Sequence, residues 1–170
     1  MRTSGRNYGT KVAHELLLAR LMGRPANTGG IVSVESYVDG ANRLLALVVR
    51  SDFKSEGIEF FTDSQSSQQL GYMRRPAGYE VAPHRHNEVR REVRQTQEVL
   101  FIRSGSCRLD LYSDSFSLYR SLILDAGDVV LLSDGGHGLV MLDETEIIEV
   151  KQGPYSGDED KTRFIPELDK

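Results

Sequence analysis

The sequence contains one cysteine, Cys107, in 170 residues. A lone thiol excludes an internal disulfide and every metal site built from several cysteines, and it suits a reducing compartment. Long apolar runs are also lacking. The longest, Leu44 to Val49, falls far short of the roughly 20 residues that a membrane-spanning helix needs. Nor is there an excess of basic charge: 21 Lys+Arg against 25 Asp+Glu leave −4, a balance unsuited to coating the polyanionic backbone of nucleic acid. No glycine-rich phosphate loop, nucleophile elbow, His-Glu-x-x-His or Asn-x-Ser/Thr acceptor occurs, so hydride and phosphoryl transfer by those routes are excluded. Near the start, Arg2, Arg6 and Lys11 precede a leucine-rich stretch, but His14, Glu15 and Arg20 interrupt it and make it a poor secretory signal. These absences predict a soluble, cytoplasmic protein with neither nucleic acid nor a membrane as its partner.

What is present is enough apolar material for one core: 39% hydrophobic residues with 7 Tyr and 6 Phe, in a chain of one domain's length. Residues 1–30 hold Arg2, Arg6, Lys11, Arg20 and Arg24 against Glu15 alone, a basic arm on an acidic protein. Within it, from about Thr10 to Met22, Val12/Ala13, Leu16/Leu17 and Leu21 recur at helical spacing before Gly23 and Pro25, which predicts one amphipathic helix packed on its own domain or on a second subunit. From Ile31 the pattern changes to short β-type runs: Ile31–Val38, Leu44–Arg50, Ile58–Phe61, Gln69–Met73, Val99–Ile102, Cys107–Tyr112, Leu118–Leu124, Val129–Leu132, Leu139–Leu142 and Ile147–Val150. Turn formers separate nearly all of them, as in an antiparallel sandwich or barrel. The reading is therefore an all-β domain over 31–152, with a charged, proline-bracketed tail over 153–170.

Three of the four histidines lie in two tight contexts, Pro83-His84-Arg85-His86 and Gly135-Gly136-His137-Gly138. Side chains two apart share a face only in extended backbone, so His84 and His86 can converge on one ion if that segment is strand-like. The glycines around His137 let the main chain come close to a bound group. Glu98 opens the apolar run Val99–Ile102, where a charge needs a partner. Three imidazoles and a carboxylate suit Fe, Mn, Ni or Zn and leave coordination positions open.

Gly78, five residues, His84-x-His86, then Glu98, six residues, Gly105 resembles the first motif of the cupin superfamily, and Gly127, seven residues, Gly135-Gly136-His137 resembles the second. The two motifs and the strands between them span about Gly78–Val150. Eleven residues separate His86 from Glu98 where three or four are usual, and Ser133 stands where a proline is usual. The wording of Gln69–Pro76 and Glu149–Tyr155 is similar to that of small bacterial cupins of unassigned activity. The resemblance implies a double-stranded β-helix, or jelly roll, holding one divalent ion through His84, His86, Glu98 and His137. Among the nearby acids Glu88, Glu92 and Glu98, only Glu98 begins a strand and has the glycine after six intervening residues. Asn87–Gln97 then becomes an enlarged loop over the barrel mouth, whose Arg90, Arg91 and Arg94 could hold an anionic substrate or simply be solvated.

Tyr72, Arg74 and Lys151 fall on predicted strands from which they could reach the lumen and hold a polar substrate, or else face solvent. Cys107 reads as a small core residue. The resemblance implies a metal-dependent enzyme on a small polar metabolite, of isomerase, epimerase or dioxygenase type, with a carbohydrate-related substrate suggested by cupins of this size. The other function it allows is a non-catalytic ligand-binding or regulatory cupin. An enzyme should show an acid or base beyond the four ligands, with Glu80 or Tyr72 as candidates. Open sheet edges and the apolar stripe of the arm predict a homodimer.

Overall fold

The computed structural model describes residues 33–167. The helix predicted between Thr10 and Met22 lies outside them. The described residues form ten strands: β1 (Val34–Val38), β2 (Leu44–Val49), β3 (Gly57–Phe60), β4 (Gly71–Arg74), β5 (Glu98–Ser104), β6 (Ser106–Tyr112), β7 (Leu118–Asp125), β8 (Val129–Leu132), β9 (Gly136–Met141) and β10 (Glu146–Lys151). The one helical element among the described residues is the 3-10 turn Gly157–Asp160, so none there is long and apolar enough to cross a membrane. The strands make three antiparallel sheets, in the orders β1-β2-β8-β5-β10, β7-β6-β9 and β3-β4. None of the three is closed.

Side-chain alternation decides which face of each strand is buried. On the five-stranded sheet, Ala46, Val48, Leu100, Ile102, Val130 and Leu132 point one way and pack against Cys107, Leu109, Leu111, Leu122 and Leu124 of the three-stranded sheet. On its opposite face Leu47, Val49 and Leu131 pack beneath Phe53, Phe61 and Leu70. The central sheet is therefore apolar on both sides, which is why β2 reads Leu-Leu-Ala-Leu-Val-Val without alternation and is buried almost throughout. Burial pushes the Cys107 thiol up to about 11, in keeping with a core residue.

Gly105 turns β5 into β6 with φ of +76°, and a Cβ there would stand 2.2 Å from the Glu144 carbonyl oxygen. The glycine that follows Glu98 after six intervening residues is thus required by a hairpin.

A charged cluster closes one part of the interior. Arg50 and Asp128, 5% and 1% exposed, meet at 2.9 Å. The Arg50 guanidinium also donates to Glu35 at 2.6 Å and to the Ile123 carbonyl at 2.7 Å. Asp128 accepts from the backbone N–H groups of Ser51 and Asp125. The Tyr37 hydroxyl donates to Glu35, and burial with this carboxylate pushes the phenol up to about 12. Among the described residues no buried side-chain nitrogen or oxygen lacks a hydrogen-bond partner, as burial of charge demands.

Candidate functional site

The core-facing positions of three strands change from apolar to ionisable at one end of the two packed sheets. On β5 Glu98 shares its face with Leu100 and Ile102; on β9 His137 shares its face with Leu139; on β10 Glu149 and Lys151 share theirs with Ile147. Register does the rest. Glu98 stands directly opposite Lys151 on one side and Leu132 on the other, and His137 opposite Leu111.

The result is a linked array contributed by both sheets. His137 Nε2 lies 3.1 Å from Glu98 Oε2, with the side chains 35% and 20% exposed. Lys151 Nζ lies 3.5 Å from Glu98 Oε1 and 2.8 Å from Glu149 Oε1. The hydrogen bond from His137, then the charges of His137 and Lys151, hold the Glu98 carboxyl below its ordinary value against a desolvation that opposes them. The Glu149 carboxylate, followed by Glu98, holds Lys151 above its ordinary value. Glu98 is an anion and Lys151 a cation at neutral pH.

Two clefts of about 470 and 740 Å³ share Glu98 and His137 as lining, a size that admits a small metabolite. The smaller is completed by Arg94, Ser133 and Asp134, the larger by Lys151 and the tail residues Lys161 and Arg163. The tail is a fixed wall. Asp160 accepts a hydrogen bond from Thr96 at 2.7 Å, and Phe164 stacks on Phe116 and meets Tyr112 edge-on. A Cβ on Gly136 would stand 2.8 Å from the Phe164 ring, so the bare backbone beside His137 admits this aromatic ring where the sequence suggested a bound group.

His84 and His86 sit elsewhere. The segment 75–97 between β4 and β5 contains no strand, which differs from the extended, sheet-like backbone that their convergence calls for. Pro76 and Pro83 cannot donate to a ladder, and the polar run from Arg85 to Gln97 offers no face to bury. Both histidines are exposed, their rings edge-to-face at 5.4 Å, with His84 Nδ1 2.9 Å from the Ala82 carbonyl oxygen. The four expected ligands thus fall as two pairs, and among the described residues no three His, Cys, Asp or Glu side chains gather around one point. Glu88 is exposed in the same segment, and Glu92 pairs with Arg94 at 3.1 Å.

Of the candidate substrate residues, Lys151 is brought to the array. Tyr72 meets Phe53 edge-on at 5.0 Å, Arg74 is exposed at the end of β4, and Arg90 and Arg91 are exposed; none of these four lines either cleft. Sequence reasoning missed Glu149 and the tail. The alternation of Ile147, Glu149 and Lys151 on β10 was the available signal for Glu149; nothing local marks where the tail returns.

No protein-family model matches this chain, and no curated protein or solved structure matches it.

Proposed function

We propose that the protein is a cupin-type jelly roll that acts on a small polar metabolite at the Glu98–His137 end of its two packed sheets, using one divalent ion. The observation that supports this reading most is the approach of Glu98 and His137 to 3.1 Å from different sheets, on core-facing positions beside a cleft. Donor atoms each about 2.1 Å from one ion and at right angles across it are about 3.0 Å apart, so this pair fits adjacent ligation. Glu98 and His137 would hold the ion, and His84 and His86 would join them only on a rearrangement of the 75–97 segment, whose far end is tied beside the site by Gln97 to Ser133 and Gln152. Bound there, the ion would supply Lewis acidity toward a carbonyl oxygen.

The acid and base beyond the ligands that an enzyme requires are present in Lys151 and Glu149. Lys151, held protonated, can stabilise negative charge developing on a substrate oxygen, and Glu149 can accept a proton. This favours proton-transfer chemistry of the isomerase or epimerase type over non-catalytic binding. Equilibrium dialysis of untagged protein against Mn²⁺, Fe²⁺, Ni²⁺ and Zn²⁺, followed by metal analysis, tests the ion. One ion per chain is expected, greatly weakened by Glu98→Gln, by His137→Asn and by the His84→Asn/His86→Asn pair, but not by Glu92→Gln. Wild-type protein that holds no ion, or binding indifferent to Glu98 and His137, overturns the reading.

A further inference from the structure

The larger cleft has one wall that the metal and acid–base groups leave unused. Lys161 and Arg163 line it on the tail side, across a stretch fixed at both ends by the Thr96–Asp160 hydrogen bond and by Phe164 between Tyr112 and Phe116. The Glu167 backbone N–H donates to the Phe116 carbonyl at 3.2 Å and tightens the far anchor. Lys161 itself has extended backbone, with φ of −153° and ψ of 145°.

Both cations are uncommitted within the described residues. Lys161 has no ion-pair partner there, and the contact of Arg163 with Asp158, at 3.9 Å between side chains 81% and 96% exposed, is too solvated to occupy the guanidinium. Lys151 differs, since Glu149 and Glu98 already engage its ammonium. Glu98 and Glu149 thus make the β-strand side of the cleft anionic, while on the tail side Lys161 and Arg163 stand with Asp160, whose carboxylate already accepts a hydrogen bond from Thr96. A ligand that satisfies both sides has hydroxyl or carbonyl groups at Glu98 and His137 and an oxyanion at the tail. Guanidinium and ammonium groups are the usual partners of phosphate and carboxylate.

Resting on the reading of this cleft as a small-molecule site, we propose that Lys161 and Arg163 form an oxyanion-binding subsite, so that the metabolite is a hydroxylated compound carrying a phosphate or a carboxylate. The residues belong to the tail, which makes that segment part of the site.

Glycerol 3-phosphate, glycerate and glycerol differ in the oxyanion and are small enough to avoid steric exclusion. Titrated into the full chain and followed by protein NMR shifts, the two anions should bind and glycerol should bind at least about tenfold more weakly. The stronger of the two anions identifies phosphate or carboxylate as the recognised group. Lys161→Ala/Arg163→Ala should lose anion binding by a similar factor at unchanged thermal stability, and Lys161→Arg should retain it. Equal shifts with all three compounds, no binding of either anion, or an indifferent double variant overturns the proposal. Metal analysis of the same samples separates the two readings: protein without an ion that still discriminates the anions overturns only the metal, whereas protein with an ion and no discrimination overturns only the subsite.

Discussion

Two of the charged clusters among the described residues differ in what surrounds them. Arg50, Asp128 and Glu35 form one; Glu98, His137, Lys151 and Glu149 form the other. In the first, the Arg50–Asp128 pair is almost wholly buried and anchored further by backbone groups of three other residues. In the second, the carboxylate and imidazole keep a fifth to a third of their surface and border clefts. A fully satisfied ion pair has nothing left with which to hold a ligand. A partly exposed one keeps lone pairs and protons to offer, at the expense of contributing little to stability.

The comparison is broken most sharply by removing one partner from each cluster and measuring denaturant unfolding. Asp128→Ala strands the Arg50 guanidinium in the interior and should destabilise the fold by about 3–5 kcal/mol. Phe164→Ala should cost about 1–2 kcal/mol through lost ring packing and should expose the tail to proteolysis while leaving the Arg50 cluster intact. Glu98→Gln should change stability by about 1 kcal/mol or less while removing metal affinity. An Asp128→Ala variant as stable as Glu98→Gln would erase the distinction.

The smallest effect sharpens it through pH. Because the Glu98 carboxyl lies below its ordinary value of 4.5 in the folded state, its contribution is fully present above that value and is lost as pH falls through the lowered native value. The stability gap between wild type and Glu98→Gln should therefore be constant near neutrality and close below pH 4.5. A gap that persists unchanged into stronger acid would mean that His137 and Lys151 do not stabilise the carboxylate.

The sequence made the strands legible because each run of Val, Ile, Leu and Tyr is cut by glycine, aspartate or serine, and all ten expected runs become strands with ends shifted by three residues or fewer. Glu98 was legible for the same reason: a charge that opens an apolar strand must face something. That it faces His137 and Lys151 depends on register between strands distant in sequence, which no local pattern encodes. His84 and His86 show the limit from the other direction, since spacing of two reports a common face only where a ladder holds the backbone extended. The Arg50–Asp128 pair was equally hidden, because its partners lie 78 residues apart.

The interior strand β2 has a consequence outside the native state. Leu44–Val49 is β-prone, uncharged and apolar on both faces, so while the chain is unfolded it is a segment able to stack with its counterparts in other chains. Arg43 and Arg50 bracket it directly. In the folded protein each is held by carboxylates, Arg43 by Asp39 and Asp114 and Arg50 by Glu35 and Asp128. Before folding, both positive charges sit at the ends of the stickiest sequence in the chain and repel its copies, so the same two arginines guard against aggregation first and lock the structure afterwards.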